Sequence, residues 1–182
     1  MRLTRLTSMV AAAALMSTAF VTPAQAAFPT LIVNGNGLNV AHLGTSENVA
    51  MSTLTRLLGH PTSKLGLTPG LQTCGVSASA EWYSLGVYFN HNRLVGISAG
   101  PGHVPPVRTP AGLLLGNTVA HARFLYGKKL TFNTQQGGAW FVATNVGRIA
   151  GFLSPATGRA PAPSAKILTM DVGVVGCPAM SP

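Results

Sequence analysis

Five histidines, two cysteines, three carboxylates and two tryptophans are the residues through which this chain could do chemistry. His42, His60, His91, His103 and His121 show no His-x-x-x-His spacing and no Glu-His pair at helical spacing. A zinc centre of the metalloprotease kind needs such a pair on one helix face, so spacing predicts no metal site. Glu47, Glu81 and Asp171 are the whole stock of acids, too few and too scattered for the paired carboxylates of a glycoside hydrolase. No Gly-x-Ser-x-Gly elbow presents a nucleophile. The glycine-rich pieces Asn34–Gly37 and Gln135–Gly138 lack the strand-to-helix setting of a phosphate loop and read as turns. The enzyme reading is thereby reduced to a hydrolase using His and Ser. The first reading is a non-catalytic binding protein without cofactor.

Trp82 and Trp140 each fall in a central strand of a meander. Core packing is the favoured role. The alternative is a ligand face on which the two rings stack on sugars, beside Arg93 and Arg148. The cations are dispersed. Lys128-Lys129 is the one adjacent pair, and with Arg123 on the preceding helix it is the candidate contact for an anionic polymer.

The compartment follows from the N-terminus. Arg2 and Arg5 precede an apolar run, Met9–Phe20, and small residues at Ala24 and Ala26 follow. This is the order of a cleaved secretory signal, residues 1–26, giving a secreted or wall-associated chain. The run is too short to span a bilayer, and no later run is long enough, so no membrane span is expected after cleavage. The remaining chain carries ten Lys plus Arg against three acids, a net charge of about +7. That excess favours anionic partners. Nucleic acid is scarce outside the cell, so the expected partner is a protein or an anionic cell-envelope polymer. Cys74 and Cys177, an even pair in an exported chain, read as a disulfide rather than as nucleophiles. In the loop-entropy model a crosslink over so long a loop is worth about 4–5 kcal/mol.

These residues need elements to hold them. Thr45 or Ser46 can cap a helix in which Val49, Leu54, Leu57 and Leu58 recur at helical spacing, with Glu47 at its positive end. Gly59 and Pro61 stop it. Ser63–Thr73 reads as a loop. Alternating segments around Trp82 to Phe89 and Arg93 to Ser98 then form an antiparallel meander turning at Asn90–Asn92. Pro101–Gly112, rich in Pro and Gly, reads as a linker. The pattern restarts with a helix capped at Asn117 or Thr118, carrying Val119, Ala122 and Leu125 and stopped by Gly127, followed by further strands. Leu43-Gly44 is matched by Leu115-Gly116, and Asn90–Ser98 is echoed by Asn145–Leu153, with Arg93 over Arg148 and Gly96 over Gly151. The expected fold is therefore α+β: two tandem helix-plus-antiparallel-meander repeats, residues 27–100 and 113–182, joined by a linker at 101–112, able to share one sheet and stapled by one disulfide.

Leu43-Gly44, the short helix and Leu58–Thr62 together resemble the repeat of the outer-membrane assembly lipoprotein BamE and of β-lactamase inhibitory protein, over roughly residues 37–153. The resemblance implies a helical segment before each antiparallel meander. This chain departs from the inhibitor, whose disulfides lie within repeats, because Cys74 and Cys177 would join the two. It also lacks that inhibitor's exposed aromatics and carboxylates, so no binding residue carries over. Thr109–Gly127 and the Gly-Cys near the terminus resemble exported actinobacterial proteins of unknown function, which implies export and fold alone.

Overall fold

The computed structural model describes residues 29–65, 75–102, 106–133, 138–155 and 160–175. Among them the chain is α+β, mostly strand, with two helices and two sheets. The first half runs β1 (Leu31–Asn34), β2 (Gly37–Leu38), β3 (Ala41–His42), α1 (Glu47–Leu58), β4 (Ser63–Leu65), β5 (Ala78–Trp82), β6 (Leu85–Asn90) and β7 (Arg93–Ala99). The second runs β8 (Val107–Arg108), α2 (Val119–Tyr126), a 3-10 turn at Gly127–Lys129, β9 (Leu130–Asn133), β10 (Ala139–Thr144), β11 (Gly147–Ser154), β12 (Lys166–Ile167) and β13 (Met170–Gly173).

Both helices end where expected, at Gly59 and Gly127, which take positive φ. They begin differently. Thr118 caps α2 by accepting from the His121 N–H, whereas Ser46 makes no side-chain cap bond. The α1 start is held instead by the Glu47 N–H donating to Asn92 O at 2.8 Å. The buried stripe of α1 is Ala50, Leu54 and Leu58; Val49 was expected on it but is exposed, because it lies one position, about 100°, round from Ala50. Two segments read as irregular are strands. Ser63–Leu65 pairs with β5, and Val107–Arg108, inside the expected linker, pairs in parallel with β1. A short strand on a sheet edge takes its order from its neighbour, so its own sequence carries little period.

The large sheet has the order β4-β5-β6-β7-β13-β11-β10-β9, with β12 on β11. β12 and β13 are one strand with a bulge, where the Leu168 and Thr169 N–H groups both reach Phe152 O. β7 bulges at Val95, between the pairs Phe89–Leu94 and Tyr88–Gly96. The small sheet has the order β3-β2-β1-β8.

The helix starts dock alike. Gly44 N–H donates to Leu94 O and Leu94 N–H to Thr45 O, with Ser46 bridged to Arg93. Gly116 N–H donates to Ile167 O and Ile167 N–H to Asn117 O, with Thr118 bridged to Lys166. Gly44 and Gly116 both take positive φ there. The counterpart of Arg93 in this bonding is therefore Lys166 and not Arg148. Arg93 is the first residue after its turn, opposite Asn90, while Arg148 stands one rung further in, opposite Ala143. The ladder between β7 and β13 has four rungs, Ala99–Met170, Ser98–Asp171, Ile97–Val172 and Gly96–Gly173.

Register separates two faces. The inner face carries Trp82, Leu85, Val87, Phe89, Ile97, Ile149, Val142 and Met170, all buried in one core with Leu54, Val119 and the small-sheet residues Leu31, Val33 and Leu38. That core is continuous across both halves of the chain. Both helices cover this face: Trp82 Nε1 donates to Gly59 O, and the Arg123 guanidinium lies 5.3 Å over the Phe132 ring. The outer face carries Ser79, Glu81, Tyr88, Ser98, Asp171, Ala150, Phe141 and Arg148.

Candidate functional site

Core packing, the favoured role of the tryptophans, is what the structure shows, and the alternative ligand face on their rings does not form. Trp82 and Trp140 are both 0% exposed on the inner face. The Trp82 indole is satisfied by the 2.8 Å bond to Gly59 O, the end of α1. Trp140 lies against Gly151, its partner across the ladder, where any side chain would run into Thr169 O and the indole. Their alternation with Glu81 and Phe141 places the rings inward, where burial of large apolar area is most stabilising. Tyr83 instead sits half exposed in the β5–β6 turn with positive φ.

The cationic candidates are at the surface. Arg123, Lys128 and Lys129 are exposed at the end of α2 and its 3-10 turn, where positive charge also suits the helix C-terminus. Arg93 opens β7 and Arg148 is the second residue of β11, at the same end of the sheet, and register places both on the outer face. Arg93 Nη1 donates to Gly44 O at 2.8 Å, and the Arg148 guanidinium lies 5.0 Å over Phe141. His42, His60, His91 and His121 are exposed on separate elements, and His103 lies outside the described residues. No three of His, Cys, Asp and Glu come together among the described residues. Cys74 and Cys177 also lie outside them, as does the signal segment. No described helix is long and apolar enough to cross a membrane.

Sequence reading missed Asp171. It pairs with Ser98 on the ladder that joins β13 to β7 and is 3% exposed. Ser98 Oγ donates to its Oδ1 at 2.5 Å and Thr169 Oγ1 to its Oδ2 at 2.8 Å. Thr169 in turn accepts from the Phe152 N–H, so one carboxyl ties β7, β13 and β11 together. Burial pushes the Asp171 carboxyl up to about 6, against the pull of the two hydroxyls. Tyr88, over Gly86 on the same face, has its phenol pushed up by burial first and then by the charges of Glu81 and Asp171. The available signal was an acid inside the run Ile167–Gly176, in which Thr169 is the one other polar side chain, in a chain with three acids.

Below the Ala150–Asp171 pair, β11 and β13 have no further paired rung. β13 instead follows β7, and Gly147 packs against Gly35 of the β1–β2 turn. The parting opens a cleft of about 230 Å³ lined by Gly35, Leu43, Arg148, Ala150, Asp171, Gly173 and Val175. Arg148 and Asp171 are the charged residues of its lining. Comparison with protein-family models, with curated proteins and with solved structures finds no match.

Proposed function

We propose that this chain is an exported, non-catalytic binding protein whose partner is an anionic polymer of the cell envelope. One observation carries the reading. All the described lysines and arginines are exposed, while Glu47 and Glu81 are half-buried and Asp171 is buried. The surface therefore presents positive charge almost without offset, and its field extends to any polyanion within a Debye length, about 8 Å at physiological ionic strength.

The architecture proposed for it is a pair of tandem repeats that share the large sheet. The matched docking of the two helix starts and the matched bulges support duplication. A Cys74–Cys177 crosslink would join the repeats. Their described neighbours Gly75, beside Asn90, and Val175, past β13, lie toward the same end of the sheet. The likeness to BamE and β-lactamase inhibitory protein is retained for the repeat plan alone.

Retention of the mature protein on isolated wall material tests the function. It should fall steeply from physiological salt to 1 M, where the Debye length is about 3 Å. Charge reversal at Lys128 and Lys129 should weaken retention more than reversal at Lys64, because Arg123 adds to the pair. Retention unchanged in molar salt would refute an electrostatic contact.

A further inference from the structure

We propose that the cleft between β11 and β13 is an oxyanion subsite, taking one phosphate- or sulfate-like group, with Arg148 as donor and occupancy controlled by a proton on Asp171. The inference rests on the polymer-binding reading and names the place where a single anionic group of such a polymer is held.

Size and lining favour a small compact ion. About 230 Å³ admits a tetrahedral oxyanion with water. Gly35 and Gly173 leave backbone rather than side chain at the wall, and Leu43 and Val175 lower the local dielectric. Charge decides the sign of the ligand. Arg148 lines the cleft, and Arg93 is bonded to Gly44 O, one residue along the chain from the lining residue Leu43. A guanidinium offers five N–H donors in a planar fork, so it can share an oxyanion while it stacks on Phe141. The opposing charge is Asp171.

The surroundings of Asp171 define the proton control. From β7 it meets the Ser98 hydroxyl, and from its own strand the Thr169 hydroxyl. β11 presents Arg148, and β6 presents Tyr88, with Glu81 of β5 beyond it. Gly35 and Leu43, from the first part of the chain, bring no charge. An ionised Asp171 repels an entering anion. A protonated one removes that repulsion and gains an O–H that can donate to it. The raised carboxyl places the change near pH 6. Coupling is reciprocal: an anion that prefers the protonated site must itself raise the Asp171 midpoint by the same factor.

Asp171 is the chain's sole aspartate, so its side-chain carboxyl carbon gives one NMR line of its type. The experiment titrates inorganic sulfate, doubly charged throughout pH 5–8, into the labelled mature protein at constant ionic strength. The amides of Gly35, Gly173 and Val175 should shift and saturate. Affinity should be about tenfold higher at pH 5 than at pH 7.5, and saturating sulfate should raise the Asp171 midpoint by about one pH unit. Asp171→Asn should bind at pH 7.5 as the natural protein does at pH 5. Arg148→Gln should lose the cleft shifts while Asp171 still titrates, and Arg148→Lys should recover part of them. Equal affinity at both pH values, shifts spread over the surface, or unchanged binding by Arg148→Gln would each overturn the subsite. If sulfate enters the cleft but wall retention ignores salt, the polymer reading falls and the subsite stands. If retention is salt-screened but sulfate leaves the cleft amides unmoved, the subsite falls alone.

Discussion

Replacing Asp171 by Asn should make the protein more stable at neutral pH and leave it unchanged in acid. The carboxyl titrates at about 6 in the folded chain against an ordinary 3.8. A raised folded value means that the native state holds the proton more tightly than the unfolded chain does. The stabilisation linked to that proton is complete below about pH 3.8 and is lost as pH rises through about 6. The rise from 3.8 to about 6 corresponds to about 3 kcal/mol, at about 1.36 kcal/mol for a tenfold change in proton affinity. Asn is neutral throughout. Its carbonyl can accept from Ser98, and its amide can donate to Thr169 once that hydroxyl rotates. The variant therefore escapes the cost of a buried charge. Its advantage should grow from nothing near pH 4 to as much as about 3 kcal/mol at pH 7.5, or about 6–12 °C in Tm for a chain of this size. Urea unfolding at four pH values, followed by the fluorescence of the buried Trp82 and Trp140, measures it. The difference between variant and natural protein isolates Asp171 from every other titrating group. A variant less stable at pH 7.5 than the natural protein would refute the argument. It would mean that the two hydroxyls stabilise the carboxylate by more than burial costs.

Two further expectations concern the sheet and the crosslink. Gly151→Ala should cost about 3 kcal/mol, because a methyl there strikes Thr169 O and the Trp140 indole, and backbone must shift to admit it. A loss below about 0.5 kcal/mol by denaturant unfolding would show that β11 stands further from Thr169 than this packing requires. Non-reducing peptide mapping of the secreted protein should find Cys74 joined to Cys177. Two freely alkylated thiols in the native protein would remove the crosslink and reopen thiol chemistry.

The sequence by itself determined the local elements and the balance of charge. Helix stops at Gly59 and Gly127, the turn at His91-Asn92 and the alternation around Trp82 and Trp140 are written in residues that act over a few positions. The class, α+β with helix before meander, follows from them. So does the scarcity of acids. Only tertiary structure decided which strands became neighbours. Arg93-Leu94-Val95-Gly96 looks like Arg148-Ile149-Ala150-Gly151, yet hydrogen bonding matches it to Lys166-Ile167-Leu168-Thr169. Identity of side chains is a poor guide there, because what is matched is backbone: a docked helix start and a bulge. The two glycines of the false echo serve packing instead, each leaving no room for a side chain beside the returning strand, Gly96 at Val174 and Gly151 at Thr169. Core packing of both tryptophans is favoured by their size and apolar character, but alternation alone says that two residues share a face and not which face is covered. Asp171 was legible as an acid and not as a site. Its burial, its two hydroxyl partners and the cleft beside it exist only where β7, β13 and β11 meet, and the Ser98 hydroxyl reaches it from 73 residues away in the sequence.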